Sequence, residues 1–242
     1  MIVSVAQIHT YRGDLAKNLE HHLKFIDRAA DAGTDLIVFP ELSLTGYEPS
    51  LANRLAISIY DKRIEPIRKR SDSTAMTIAV GLSSIAQDRV CISQVFFQPG
   101  QTRVVYHKKY LHKDERPFFV ANDHAVTLPF GNLTVAPSIC YELSVPEHAE
   151  WAYASVADVY LSSASKSAQN VDHARERLTA ISRKYSMWVM FCNNVGPSDD
   201  FVGAGRSAVW GYNGTKVAEL GSSVEGLIVF DLANSLATTD MW

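Results

Sequence analysis

Apolar positions along this chain recur with two periods, one of two residues and one near 3.6. Residues 2–8 are β-branched and apolar enough for a buried strand. Leu15, Leu19, Leu23, Ile26 and Ala30 then repeat at helical spacing behind Asp14, a suitable N-cap, and Gly33 closes the helix. A continuous apolar run at 36–39 leads into Pro40 and Glu41, so strand, helix and strand arrive within about forty residues, which implies parallel pairing. Residues 51–70 are less regular and carry helix that Pro66 limits. Strands are predicted at 76–82, 90–97 and 101–106, with Pro99 and Gly100 turning between the last two. Gly131 and Asn132 turn between 126–130 and 133–139. The second half alternates again: helix 146–155, strand 159–162, helix 172–185 and strand 188–192. A hairpin of 207–212 and 215–220 surrounds Asn213 and Gly214, a type I′ signal, and a strand at 227–231 follows. Helices and hairpins recur in each half. The pattern predicts an α/β fold of sheets packed face to face with helices outside, in one domain spanning residues 1–242.

Composition narrows the field of functions. With 242 residues, 47% of them hydrophobic, the chain can bury a sizeable core. No apolar stretch reaches the ~20 residues of a bilayer span, and the start MIVSVAQIHTYRGD lacks a basic leader and a cleavage site; no membrane association and a cytoplasmic location are expected. A net charge of −3, with no basic run beyond the IRKR of residues 67–70, offers no footprint for nucleic acid. Cys91, Cys140 and Cys192 are far apart and form no CxxC, which argues for reduced thiols rather than disulfides or a thiolate zinc site.

Three of the predicted strands end in side chains that can do chemistry. Cys140 follows the apolar run 133–139 in SICYELSVPE, where a strand delivers a thiol into a sharp turn. Glu41 ends a second buried strand, in LIVFPELSLTGYEP, and Lys108 a third, in VVYHKKYLHKDE. Amides resist water because nucleophile and leaving amine are both poor at neutral pH. A thiol supplies the nucleophile, a carboxylate can move its proton to the amine, and an ammonium can stabilise the oxyanion together with a backbone N–H such as that of Tyr141.

FPELSLTGY, YHKKYL and SICYELSVPE, in that order, resemble the glutamate, lysine and cysteine motifs of the nitrilase superfamily, the carbon-nitrogen hydrolases. The similarity runs from VAQI near the start through GAGRSAVWGYNGTKVAE. The resemblance implies a four-layer αββα sandwich that usually dimerises and uses no metal or organic cofactor. It implies Glu41 as general base, Lys108 as oxyanion-stabilising cation and Cys140 as nucleophile. Lys108 is selected over Lys109 because the family places its lysine three residues before the leucine, here Leu111. Glu115 resembles a second, supporting glutamate. Two departures stand out: Glu142, Leu143 and Ser144 occupy positions where many family amidases carry aspartate, an aliphatic residue and arginine, and Tyr141 stands where nitrilases commonly carry tryptophan. Amide hydrolysis is therefore expected over nitrile hydrolysis. The expected partner is a small-molecule amide, with a carbamoyl compound as the nearest rival substrate. Acyl transfer to an amine, or a catalytically silent binding protein with the same fold, would also be compatible with these motifs.

The remaining polar residues are read more plainly. Glu115 and Glu142 either support the site or form ordinary charge pairs, and their acidity would suit a cationic amine substrate. Cys91 and Cys192 are core residues, His107, His112 and His148 pocket walls or surface residues, and GAGRS at 203–207 a loop entering a strand. No HExxH or similar spacing points to a metal.

Overall fold

Neighbouring residues of strand β2 (Leu36–Val38) enter different cores. Leu36 and Val38 join one apolar cluster while Ile37 and the following Phe39 join another, as a two-residue period demands of a strand buried on both faces. The same division recurs on β1 (Ile2–Gln7), where Val3 and Val5 face the larger cluster, and on β3 (Thr77–Ala86), where Ile78, Val80 and Leu82 face the smaller. The smaller core lies beneath helix α1 (Leu15–Asp31), through Phe25, Ile26 and Ala29, and beneath α3 (Glu65–Thr74), through Ile67. Between these helices comes the short α2 (Ala52–Leu55). Pro66 stands in the first turn of α3, where its missing N–H costs no helical bond, so it starts this helix rather than interrupting one.

The first sheet is completed by β4 (Arg89–Phe97), β5 (Val104–His107), β14 (Gly226–Asp231) and β15 (Leu236–Met241), in the order β15-β14-β1-β2-β3-β4-β5. β1, β2 and β3 are parallel and the remaining pairings antiparallel. The second sheet uses β6 (Leu128–Phe130), β7 (Leu133–Ile139), β8 (Val159–Ala164), β9 (Trp188–Asn193), β12 (Ala208–Trp210) and β13 (Lys216–Glu219), ordered β13-β12-β9-β8-β7-β6. Helices α4 (Pro146–Ala154) and α5 (Ala168–Tyr185) accompany it, α5 burying Val171, Ala174 and Leu178 in the larger core. A separate ribbon pairs β10 (Val195–Ser198) with β11 (Phe201–Ala204). The sheets face each other closely: Cys192 Sγ of β9 lies 3.1 Å from the Ala6 carbonyl of β1, and Ser163 Oγ of β8 donates to the Phe39 carbonyl at 3.1 Å. The computed structural model describes residues 1–242, and its layers are the expected α, β, β, α.

Three local differences have physical reasons. β15 carries polar and exposed residues and pairs on one edge only, so its sequence lacks the apolar run that marks a buried strand. The β10–β11 ribbon is interrupted by Gly196, Pro197 and Gly203, residues that ordinarily signal turns. Asn213 and Gly214 do sit in the β12–β13 hairpin, but only Gly214 has positive φ (81°), and its N–H donates to the Gly211 carbonyl at 2.9 Å. That is a type I turn followed by a left-handed glycine, not a type I′ turn, which needs positive φ at both residues.

Candidate active site

Glu41, Lys108 and Cys140 all follow strand ends. Glu41 comes three residues after β2, Lys108 directly after β5 and Cys140 directly after β7. The Glu41 turn is strapped to β3: Phe39 N–H donates to the Ala79 carbonyl and Leu44 N–H to the Gly81 carbonyl, both at 2.9 Å. Gly81 permits this approach, since a Cβ there would stand 2.4 Å from Leu42 N and 2.5 Å from the Pro40 oxygen. Cys140 opens a short 3-10 helix and has φ of 49°. The N–H groups of Tyr141 and Glu142, in that helix's first turn, lack intrahelical acceptors.

Lys108 is fully buried, and its ammonium donates to Glu41 Oε1 at 2.7 Å and to Glu115 Oε1 at 2.6 Å. Two of its three N–H bonds are thereby committed. Glu115 is fixed further by the Tyr47 hydroxyl at 3.1 Å and by His112 N–H, donating to Oε2 at 2.8 Å. Glu41 Oε2, by contrast, is buried without a hydrogen-bond partner. Any cation that two carboxylates could bind here is already present as the Lys108 ammonium. Lys109 instead presents its backbone N–H to Glu142.

Burial raises the Glu41 carboxyl above its usual range, with Lys108 pulling down and Glu115 pushing up. Burial works against the Lys108 ammonium, yet the charges of Glu115 and Glu41 hold its pKa above the ordinary lysine value. Burial pushes the Cys140 thiol up to about 11; the Glu41 charge adds to this, while Lys166 and Lys108 oppose it. Cys140 is thus a thiol, not a thiolate, at neutral pH, and it lies within the electrostatic reach of all three charged residues. Its Sγ is 4.0 Å from the Ser165 carbonyl.

The remaining expected residues divide. Tyr141 turns its ring onto His112, centroids 5.4 Å apart. Glu142 faces away into the wall. Its Oε1 accepts from Lys109 N–H at 2.6 Å and Tyr110 N–H at 3.1 Å, and its Oε2 from Ile139 N–H at 2.7 Å and the Tyr106 hydroxyl at 2.8 Å. It therefore braces the lysine loop against the cysteine strand. Burial raises its pKa to about 7, opposed by the bonds from Ile139 and Tyr106. With Glu115 and Glu142 both satisfied internally, neither is free for a cationic substrate, and that expectation is corrected. His148, expected as a pocket wall or surface residue, is buried in this brace, its ring nitrogens 2.9 Å from the Tyr106 and Tyr160 hydroxyls.

Sequence reading missed Tyr47 and Lys166. Tyr47 ends the FPELSLTGY motif, so its signal was present; its ring also packs on Phe201 of β11, centroids 5.6 Å apart. Lys166 lies two residues after β8, with its N–H donating to Asn193 Oδ1 at 2.7 Å and its carbonyl accepting from Ala204 N–H at 2.9 Å. Nothing in its local sequence marks it.

The family model described as Carbon-nitrogen hydrolase matches residues 2–240. The chain belongs to this family. Among the relatives of this carbon-nitrogen hydrolase, the (R)-stereoselective amidase of Pseudomonas sp. is 26% identical over 205 residues, 83% of this chain and 73% of the relative. The glutamine-dependent NAD(+) synthetase of Thermotoga maritima is 28% identical over 217 residues, 86% of this chain but 38% of that protein, so the chain spans well under half of its length. Among solved structures, the Nesterenkonia AN1 amidase from the nitrilase superfamily superposes with a TM-score of 0.89 at 23% identity, covering 96% of this chain and 91% of the other. That likeness carries the fold. A variant of the Nesterenkonia amidase has been captured with the acetamide moiety of fluoroacetamide added covalently at its active-site cysteine.

Proposed function

We propose that this carbon-nitrogen hydrolase cleaves a small linear amide through a thioester on Cys140. The observation that carries the reading is the unpartnered Glu41 Oε2, a buried carboxylate oxygen within electrostatic reach of the Cys140 thiol, while Oε1 is pinned by Lys108. Glu41 takes the thiol proton as sulfur attacks the amide carbon, which avoids a free thiolate in a buried site. The third Lys108 N–H and the Tyr141 N–H receive the oxyanion, an interaction whose single donors are worth about 3–4 kcal/mol. Glu41 then passes its proton to the leaving amine as the C–N bond breaks. Water enters, gives a proton to Glu41 and attacks the thioester; the acid departs and the proton returns to sulfur. Glu115 holds Lys108 in place. Relatives named amidase support amide over carbamoyl substrates, and the covalent addition of an acetamide moiety at the active-site cysteine of a Nesterenkonia amidase variant supports Cys140 as the nucleophile.

Ammonia or amine release from a panel of short amides tests the reading, with intact-protein mass spectrometry to detect the acyl adduct. Cys140→Ala should release nothing and gain no mass. Equal turnover by both proteins refutes the thioester, and carbon dioxide among the products would indicate carbamoyl cleavage instead.

A further inference from the structure

Outside the thiol cluster, three polar side chains converge from distant stretches of chain. His9 follows β1 by two residues, His21 lies on α1, and Glu225 immediately precedes β14. His9 Nδ1 and His21 Nε2 each stand 2.7 Å from Glu225 Oε1, and the backbone N–H of His9 donates to the same oxygen at 2.8 Å. A carboxylate oxygen offers about two lone-pair sites, so three N–H donors at such distances oversubscribe it. The conflict disappears if the two ring nitrogens turn lone pairs toward a shared cation instead of protons toward a shared oxygen.

The donor atoms of the three residues lie within 4.8 Å of one another. From there, small side-chain rotations bring nitrogen and oxygen to the ~2.0–2.2 Å of a zinc coordination shell. Aromatic packing already orients the imidazoles: the Tyr11 ring lies 4.7 Å from His9 and 6.2 Å from His21, and Phe25 lies 5.2 Å from His21. Exposures of 33% for His9, 14% for His21 and 17% for Glu225 leave one side open for entry and for water. Two imidazoles and one carboxylate form a donor set suited to first-row divalent ions rather than to calcium or magnesium.

We propose that His9, His21 and Glu225 bind a divalent first-row transition ion, best matched by zinc, with water completing its shell. Such an ion clamps the chain after β1 and helix α1 to the segment that enters β14. Glu225 lies 204 positions from His21, which is why no local motif announces the set. The site shares no residue with the Cys140 cluster and does not depend on the amide reading.

The test uses the Cys140→Ala protein, in which the remaining thiols are buried, so that sulfur does not compete. Zinc is titrated by calorimetry and cobalt(II) by visible absorption. The expected results are one ion per chain, a cobalt spectrum of nitrogen and oxygen ligation, and a rise in Tm of about 5 °C at a hundredfold excess of zinc over Kd. His21→Gln and Glu225→Gln, checked for folding by their Tm in chelator, should each weaken binding by about 100-fold or more. No stoichiometric binding by the parent, or binding unchanged in both variants, overturns the proposal. Should one variant fail to fold, His9→Gln takes its place, and the parent's cobalt spectrum reports the ligand set independently.

Discussion

Lys108, the proposed oxyanion donor, is also a structural charge. Its motif marks it for chemistry alone, yet it separates two buried carboxylates, and no solvent can replace it there. Removing one partner from a buried ion pair costs about 3–5 kcal/mol because the other charge is left stranded. Lys108→Met should therefore lose turnover and lower the urea-unfolding free energy by roughly that amount, whereas Lys109→Ala should keep both. A fully stable Lys108→Met would mean that the two carboxylates do not depend on the ammonium between them. The identities of Glu41, Lys108, Glu115 and Cys140 were legible because each falls at the end of an apolar run or within a motif. Lys166 was not, since its approach to the thiol arises only when β7 and β8 pair.

At the scale of elements, the Glu41 turn depends on a neighbour that carries no functional group. Gly81 on β3 leaves no room for a Cβ against Pro40 and Leu42. In Gly81→Ala the turn must shift, and because misplacement by about 1 Å can cost 100-fold in rate, kcat should fall by about two orders of magnitude while the protein loses ~1–3 kcal/mol of stability. Steady-state kinetics with parallel denaturant curves measure both, and an unaltered kcat would detach β3 from the site. The alternation of β1, β2 and β3 and the period of α1 were readable in the sequence because one residue in two, or one face in 3.6, is apolar. The β10–β11 ribbon was hidden by its glycines and proline, and β15 by its polar surface.

Across the whole molecule, the Glu142 brace gives stability a definite dependence on pH. Its folded pKa, about 7, stands above its ordinary 4.5, so the native state holds a proton that the unfolded chain releases. The sign is that of a raised carboxyl: its contribution is fully present below about pH 4.5 and is lost as pH rises through about 7. Unfolding free energy should thus decline between pH 5 and 8 by up to about 3 kcal/mol from this group, a slope missing from Glu142→Gln. Identical slopes in the two proteins would contradict it.

The two sheets also divide the proposed reagents between them. Carboxylate and ammonium ride on one slab, sulfur on the other, and apolar side chains, the Glu142 brace and bonds such as Ser163 to Phe39 keep the slabs aligned. A slippage too slight to melt either slab would part the nucleophile from its proton acceptor. In rising urea, hydrolysis should accordingly cease before tryptophan fluorescence or far-UV circular dichroism changes, which makes catalytic rate the finer gauge of how well the halves of this protein are mated.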